Sequence, residues 1–203
     1  MRSVMKPGRQ SFEAGLSGTT PGTGRRVRTA TQSPVAWVST SNNLRMSTPD
    51  VTPALDAFAG LIVHVGGPGM GQVVKLCNQV IYAAQMTATA EATALAVKSG
   101  VDMHKLLEVL THATGDCVAV RTRLPVAGVV EESPASHNWE PGFMTDLMAK
   151  DLDLALAYAA AAGVPTATTA TARQMLGAAQ RAGYGREDFS AVAKVVMASA
   201  GTA

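Results

Sequence analysis

The chain has 203 residues, 47% of them hydrophobic and 16% charged, a globular composition long enough for one large or two small domains. Its net charge of +2 is uneven: residues 1–50 carry seven basic side chains against Glu13 and Asp50, giving +5 and leaving −3 for the remainder. The basic balance therefore belongs to one end and does not mark the folded part as a nucleic-acid binder. Two distant cysteines, Cys77 and Cys117, give neither a disulfide framework nor a C-x-x-C zinc site, and a reducing compartment is the simpler reading.

Residues 1–50 mix Gly8, Gly15, Gly18, Pro21, Gly22, Gly24 and Pro34 with many Ser and Thr residues and no sustained apolar period. They read as a basic, disordered or irregular segment. The Arg-rich, acid-poor composition matches a mitochondrial transit peptide, yet the glycines and prolines oppose the amphipathic helix of such peptides. A cytoplasmic location is the first expectation and a mitochondrial one the alternative. Arg25, Arg26 and Arg28 read as a solvated basic tail, so no nucleic-acid partner is expected.

From Val51 the character changes. Leu55, Phe58, Leu61, Ile62, Val63 and Val65 give a short helical segment and then a compact β-branched run, with a turn or strand ahead of the glycines. Residues 51–68 thus form the end of a preceding unit and a hinge. Gly66, Gly67, Gly69 and Gly71 leave the backbone bare just before a helix, where free N–H groups and the helix dipole favour a carboxylate or phosphate. A tight helix entry is the competing reading, because no full G-x-G-x-x-G follows a strand here.

The next helical pattern runs from about Gln72 to Ser99 and would form a rod of ~40 Å, ended by Gly100. Lys75, Asn78 or Gln79, Tyr82, Gln85 or Met86, Thr89 and Thr93 recur every three or four residues as one polar stripe. The small residues elsewhere on it suit close packing between helices or subunits. The longest weakly charged run, Ala83 to Val97, is broken by Glu91 and falls short of the about 20 apolar residues of a membrane span. No membrane association is expected.

Asp102 is a predicted N-cap for a helix from Met103 to about Ala113, whose Leu106, Leu107, Val109 and Leu110 are expected to face a core. His104 and His112 lack a third ligand at metal spacing, so no metal site is expected. Arg121 and Arg123 read as surface residues. After the polar loop Glu131 to Gly142, a helix is expected from about Phe143 to Ala162, on which Phe143, Leu147, Lys150 or Asp151, Leu154 and Tyr158 share a face. Asp146 offers Lys150 an i−4 surface ion pair. Further helices are expected from Thr166 to Arg181 and from Glu187 to Ser199, making residues 69–203 a mainly α, multi-helix domain built around the long first helix.

The segments G-G-P-G-M-G-Q-V-V-K-L-C-N-Q (Gly66 to Gln79), T-A-E-A (Thr89 to Ala92), F-M-T-D-L-M-A-K-D-L (Phe143 to Leu152) and G-Y-G-R-E-D-F-S (Gly183 to Ser190) resemble the 3-hydroxyisobutyrate dehydrogenase family. These are β-hydroxyacid dehydrogenases related to 6-phosphogluconate dehydrogenase. The resemblance spans roughly Val51 to Val196 and implies the helical C-terminal domain of that family, which in its members follows a Rossmann domain that binds NAD or NADP.

By this resemblance Lys75 is the acid/base acting on the hydroxyl of a small 3-hydroxy acid. Gly69, Asn78 and Gln79 contact the substrate, and Phe143 and Lys150 lie at the edge of the cofactor site. A lysine among apolar neighbours is suited to proton exchange, because such surroundings disfavour its charged form. Two departures stand out: Asn78-Gln79 replaces the family's two consecutive asparagines, and residues 1–50 show no G-x-G-x-x-G and no recognisable Rossmann strands. The resemblance thus implies a truncated NAD(P)-dependent oxidoreductase, inactive by itself, with homo-oligomeric contacts through the helical domain. The alternative is a non-catalytic helical dimerisation module derived from the family.

Overall fold

The computed structural model describes residues 59–202 and the backbone of the strand Val35–Val38. That strand, β1, pairs in parallel with β2, Leu61–His64, in the register Val35↔Leu61 to Val38↔His64. β2 is the strand expected ahead of the glycines, whereas β1 falls inside the segment read as irregular. Expectations for the rest of 1–58, including the short helical segment through Leu55 and Phe58, fall outside the described residues.

Among the described residues six α-helices follow. The first, α1, runs Met70–Lys98 and is the axis on which the others pack. It ends as its sequence indicates: Val101 N–H reaches back to Ala96 O at 3.0 Å across Gly100. The stripe read as polar is its inner face, with Gln79, Met86, Thr89 and Thr93 all buried together with Ala83, Ala90 and Ala94. The threonines fit because their hydroxyls bond back along the helix, Thr87 to Ala83 O at 3.0 Å and Thr93 to Thr89 O at 2.7 Å. The outer face is mixed, carrying Gln72, Asn78 and Glu91 together with two large apolar side chains, Ile81 at 58% and Leu95 at 71% exposed.

α2, Met103–His112, begins at Asp102, whose carboxylate accepts from Lys105 N at 3.0 Å as the cap requires. It does not reach the core. None of its residues is fully buried and Val109 lies 62% exposed, because the helix leans on α1 and on the short segment Val118–Arg123 from one side only. α3, Val118–Arg123, is a six-residue helix too short to announce itself by period, yet it places Ala119 and Val120 against α1.

After a 3-10 turn at Pro134–His137, the chain passes Asn138 and Trp139 with φ of 51° and 62°. α4, Thr145–Ala161, starts two residues later than expected, because Phe143 and Met144 are held extended by the segment 185–189. Thr145 N–H donates to Glu187 O at 2.9 Å, Asp146 N–H to Gly185 O at 3.0 Å, and Phe189 N–H to Phe143 O at 2.9 Å. α5, Ala167–Arg181, leads into that segment, and a 3-10 turn at Phe189–Ala191 hands the chain to α6, Val192–Ala200. What reads in sequence as one helix from 187 is therefore a docking segment followed by a shorter helix.

The core lies where α1, α4, α5 and α6 converge on Met86, Ala90, Met148, Leu152, Leu176, Phe189 and Val192. The large side chains contribute about 1.5–3 kcal/mol each by leaving water. The alanines between them allow α1 and α4 to approach closely enough for side chains to meet across the seam.

Candidate active site

The glycine loop sets the entry of α1. Gly69 is its N-cap with φ +84°, a left-handed conformation that an L side chain adopts only with strain. The expected cradle of bare N–H groups is partly used within the turn itself, since Met70 N–H donates to Gly67 O at 3.2 Å and Gln72 N–H to Gly69 O at 3.0 Å. One and a half turns on, Lys75 projects from α1, followed at one further turn by Gln79 and then by Tyr82.

Across the seam, α4 supplies Lys150 and Asp151 as neighbours. Lys150 points outward, its side chain 58% exposed, while Asp151 turns inward and is 1% exposed. Lys75 Nζ lies 3.2 Å from Asp151 Oδ2 and Lys150 Nζ lies 3.0 Å from Oδ1. Gln79 Nε2 donates to Oδ2 at 3.1 Å, and Asn78 Nδ2 in turn donates to Gln79 Oε1 at 3.2 Å. The contact at Oδ1 is an ion pair without an aligned hydrogen bond, which leaves that buried oxygen without a hydrogen-bond partner.

Burial acts most strongly on Asp151 and pushes its carboxyl up, but Lys150, Gln79 and Lys75 together outweigh it and hold the group below the usual carboxylate value of 3.8. The group is thus an anion shared by two cations. Lys75 faces this carboxylate rather than the apolar wall that its sequence neighbours imply, and its side chain is 38% exposed.

The structure brings together Lys75, Asn78, Gln79 and Lys150, four of the residues singled out from sequence, and adds Asp151. The signal for Asp151 was a second charge beside Lys150 on an apolar stripe. The Asp146–Lys150 pair does not form: Asp146 accepts from Gln180 Nε2 at 2.7 Å instead. Phe143 joins a different cluster, its ring edge-on to Phe189 at 6.3 Å and its N–H donating to Asp188 Oδ2 at 3.1 Å.

That second cluster went unread in the sequence. Asp188 is wholly buried and accepts from Arg123 Nε, Gly142 N, Phe143 N, and both the N–H and hydroxyl of Ser190. Arg123, expected at the surface, is 11% exposed, lies over Tyr82 and Phe189, and donates to the Tyr82 hydroxyl. Burial pushes the Tyr82 phenol above its usual value, with the Arg123 charge opposing. Tyr82 is three residues beyond Gln79 on α1, so this cluster braces the same seam.

Among the described residues no group of three or more His, Cys, Asp or Glu could hold a metal, and no helix is long and apolar enough to cross a membrane. An open depression lined by His104, Glu108, Arg121 and Glu131 lies beside α2 and contains neither lysine of the site.

Residues 69–196 match the family model described as the NAD-binding domain of NADP-dependent 3-hydroxyisobutyrate dehydrogenase. The chain belongs to the 3-hydroxyisobutyrate dehydrogenase family. It is 44% identical over 148 residues to the "Probable 3-hydroxyisobutyrate dehydrogenase" of Mycobacterium tuberculosis, covering 73% of this chain and 50% of that protein. An NAD-dependent L-serine dehydrogenase of Pseudomonas aeruginosa is 38% identical over 143 residues, or 70% of this chain and 48% of that one. Among solved structures, the M. tuberculosis 3-hydroxyisobutyrate dehydrogenase with L-serine superposes with a TM-score of 0.68 at 42% identity, covering 72% of this chain and 50% of that chain. A 3-hydroxyisobutyrate dehydrogenase from Salmonella typhimurium gives 0.64 at 32% identity with the same coverage. This chain therefore spans about half the length of these dehydrogenases, and its residues 69–196, which match the family model, are its helical part.

Proposed function

We propose that this chain supplies the substrate and proton-transfer half of an NAD(P)-dependent oxidoreductase acting on a small 3-hydroxy acid. The observation that carries the reading is the convergence of Lys75 and Lys150, from elements some seventy residues apart, on the single buried carboxylate of Asp151. A hydroxy-acid site needs a proton-exchanging amine beside a positive field, and two lysines sharing one desolvated anion supply that arrangement.

In this reading Lys75 in its neutral form takes the hydroxyl proton while the hydrogen on the same carbon leaves as hydride. Asn78, exposed beside it, hydrogen-bonds the substrate, and the loop at Gly69 receives its carboxylate. When bound, the nicotinamide cofactor is the hydride acceptor. The exposed ammonium of Lys150 fits the edge of such a dinucleotide. Phe143 can offer only the part of its ring that Phe189 leaves uncovered. We place the protein in the cytoplasm.

The test is reduction of NAD+ or NADP+ with 3-hydroxyisobutyrate and L-serine, with Lys75→Met alongside. General acid–base groups contribute about 10²–10⁴-fold, so that variant should lose activity on this scale. If the chain alone does not turn over, the same acids should still shift the NMR signals of Lys75 and Asn78, and the absence of both turnover and such shifts overturns the reading. The exposed Ile81 and Leu95 on α1 favour a second role, self-association through this helix. Sedimentation of a monomer at high concentration would rule that role out.

A further inference from the structure

Gln79 is the buried, uncharged member of the lysine site. Its side chain is 8% exposed, its Oε1 accepts from Asn78 Nδ2, and its Nε2 donates to Asp151 Oδ2. The orientation of the amide follows from chemistry, since an ionised carboxylate only accepts and the nitrogen must face it. We infer that Gln79 is a positioning residue that holds the Asp151 carboxylate so that Lys75 and Lys150 are assigned to different oxygens, and that it is not a substrate ligand. This rests on the proton-transfer reading of Lys75.

The two oxygens of a carboxylate interchange by rotation about a broad, two-fold torsion unless a neighbour distinguishes them. Lysines distinguish them poorly, because an ammonium is a point charge on a flexible stem. Gln79 is buried, anchored to α1 and uncharged, and it marks one oxygen as Oδ2 by a directional bond of 3.1 Å. Lys75 then forms its ion pair with that same oxygen at 3.2 Å, and Oδ1 is left to Lys150 at 3.0 Å. The other carboxylates of α4 are engaged elsewhere, Asp146 by Gln180 and Asp153 by Arg173. Asp151 is thus the anion divided between the lysines, and Lys75 keeps N–H directions open on its exposed side.

Side-chain length matters to this arrangement. An asparagine at position 79 would be shorter by one methylene, about 1.5 Å, which takes a bond of 3.1 Å beyond hydrogen-bond range. Gln79→Met keeps the length and apolar packing and removes the donor to Asp151 along with the acceptor that Asn78 Nδ2 uses. A packing role and a positioning role therefore predict different behaviour for that variant.

The experiment is carbon-detected NMR titration of aspartate-labelled chain, with competitive acetylation of lysines read by mass spectrometry and the exposed Lys105 as reference. In Gln79→Met and Gln79→Asn alike, Asp151 should titrate at higher pH than in the unaltered chain, because a donor to its charged form is gone. The acetylation rates of Lys75 and Lys150 should also converge as the freed carboxylate serves both. An Asp151 midpoint and a Lys75-to-Lys150 ratio unchanged in a folded Gln79→Met chain would overturn the inference. If that variant fails to fold, Gln79→Asn alone gives the same two readouts with the same two outcomes. Neither readout depends on turnover, so a failure here leaves the Lys75→Met assay of the functional reading standing or falling by itself.

Discussion

Arg123 and Asp188 lie 65 residues apart in sequence and meet with Nε 3.1 Å from Oδ1, the aspartate wholly buried and the arginine 11% exposed. The pair joins the end of α3 to the segment that fixes the start of α4, and through the Tyr82 hydroxyl it also reaches α1. The two helices that carry Lys75 and Lys150 are thereby tied by one ionic knot set beside their shared seam. Removing one partner leaves the other charge buried without compensation, which costs about 3–5 kcal/mol. Arg123→Met and Asp188→Leu should each lower the unfolding free energy, read by denaturant titration, by that amount. The double variant should cost clearly less than the two single losses together.

Gly185 reaches Asp146 at a distance no side chain allows. A Cβ built there would stand 2.6 Å from Oδ1 and 2.8 Å from Oδ2, while Gly185 O already accepts from Asp146 N–H at 3.0 Å. Gly185→Ala should therefore push the Asp146 carboxylate from Gln180 and loosen the first turn of α4. The expected result is a loss of about 1–3 kcal/mol, the scale of an overpacked site, with faster amide exchange at Thr145 and Asp146. The paired variant Gly185→Ala with Asp146→Ala should recover much of the loss, because the second change removes the group that the first one strikes.

Much of this was legible because it depends on local chemistry. The cap at Asp102, the closure at Gly100, and the lysine beyond the glycine loop are each specified within a few residues. The lysine site was legible as motifs but not as geometry. Lys75 and Lys150 could be picked out, yet the carboxylate that unites them has its meaning only once α1 and α4 are packed. The same reason explains the misreading of Arg123, an arginine on a short polar stretch whose partner lies 65 residues on. Thr93 of the polar stripe of α1 could face inward because its hydroxyl is satisfied along the helix by Thr89 O, something no hydropathy period reveals. The start of α4 shifted by two residues because strand-like bonding from 185–189 competes with helical bonding at Phe143 and Met144.

The acid limb of stability should carry a contribution from Asp151. Its folded carboxyl is held below the usual value of 3.8, against burial, by Lys150, Gln79 and Lys75. A group with a depressed folded value stabilises the fold above its unfolded value and loses that contribution as the pH falls through the folded one. Unfolding profiles between about pH 2 and 5 should therefore show a steeper loss for the unaltered chain than for Asp151→Asn, which no longer titrates there. Lys150→Met should raise the pH at which that loss occurs, since it removes one of the two cations that favour the anion.

The entry of α1 offers a test in which strain is separated from crowding. Gly69 has φ +84°, and a Cβ built on it meets nothing within 4 Å, so Gly69→Ala should suffer only from its backbone conformation. That strain is about 1–2 kcal/mol for an L residue, or a fall in thermal midpoint of roughly 2–8 °C for a chain of this size. Asparagine tolerates the left-handed region better than alanine, and Gly69→Asn should recover part of the loss. Thermal scans of the two variants side by side read this directly, and equal loss in both would show that the site demands more than the turn itself. If the loop also receives the substrate carboxylate, Gly69→Asn should weaken binding of a 3-hydroxy acid more than its recovered stability accounts for, because its side chain stands in the open space the ligand would use.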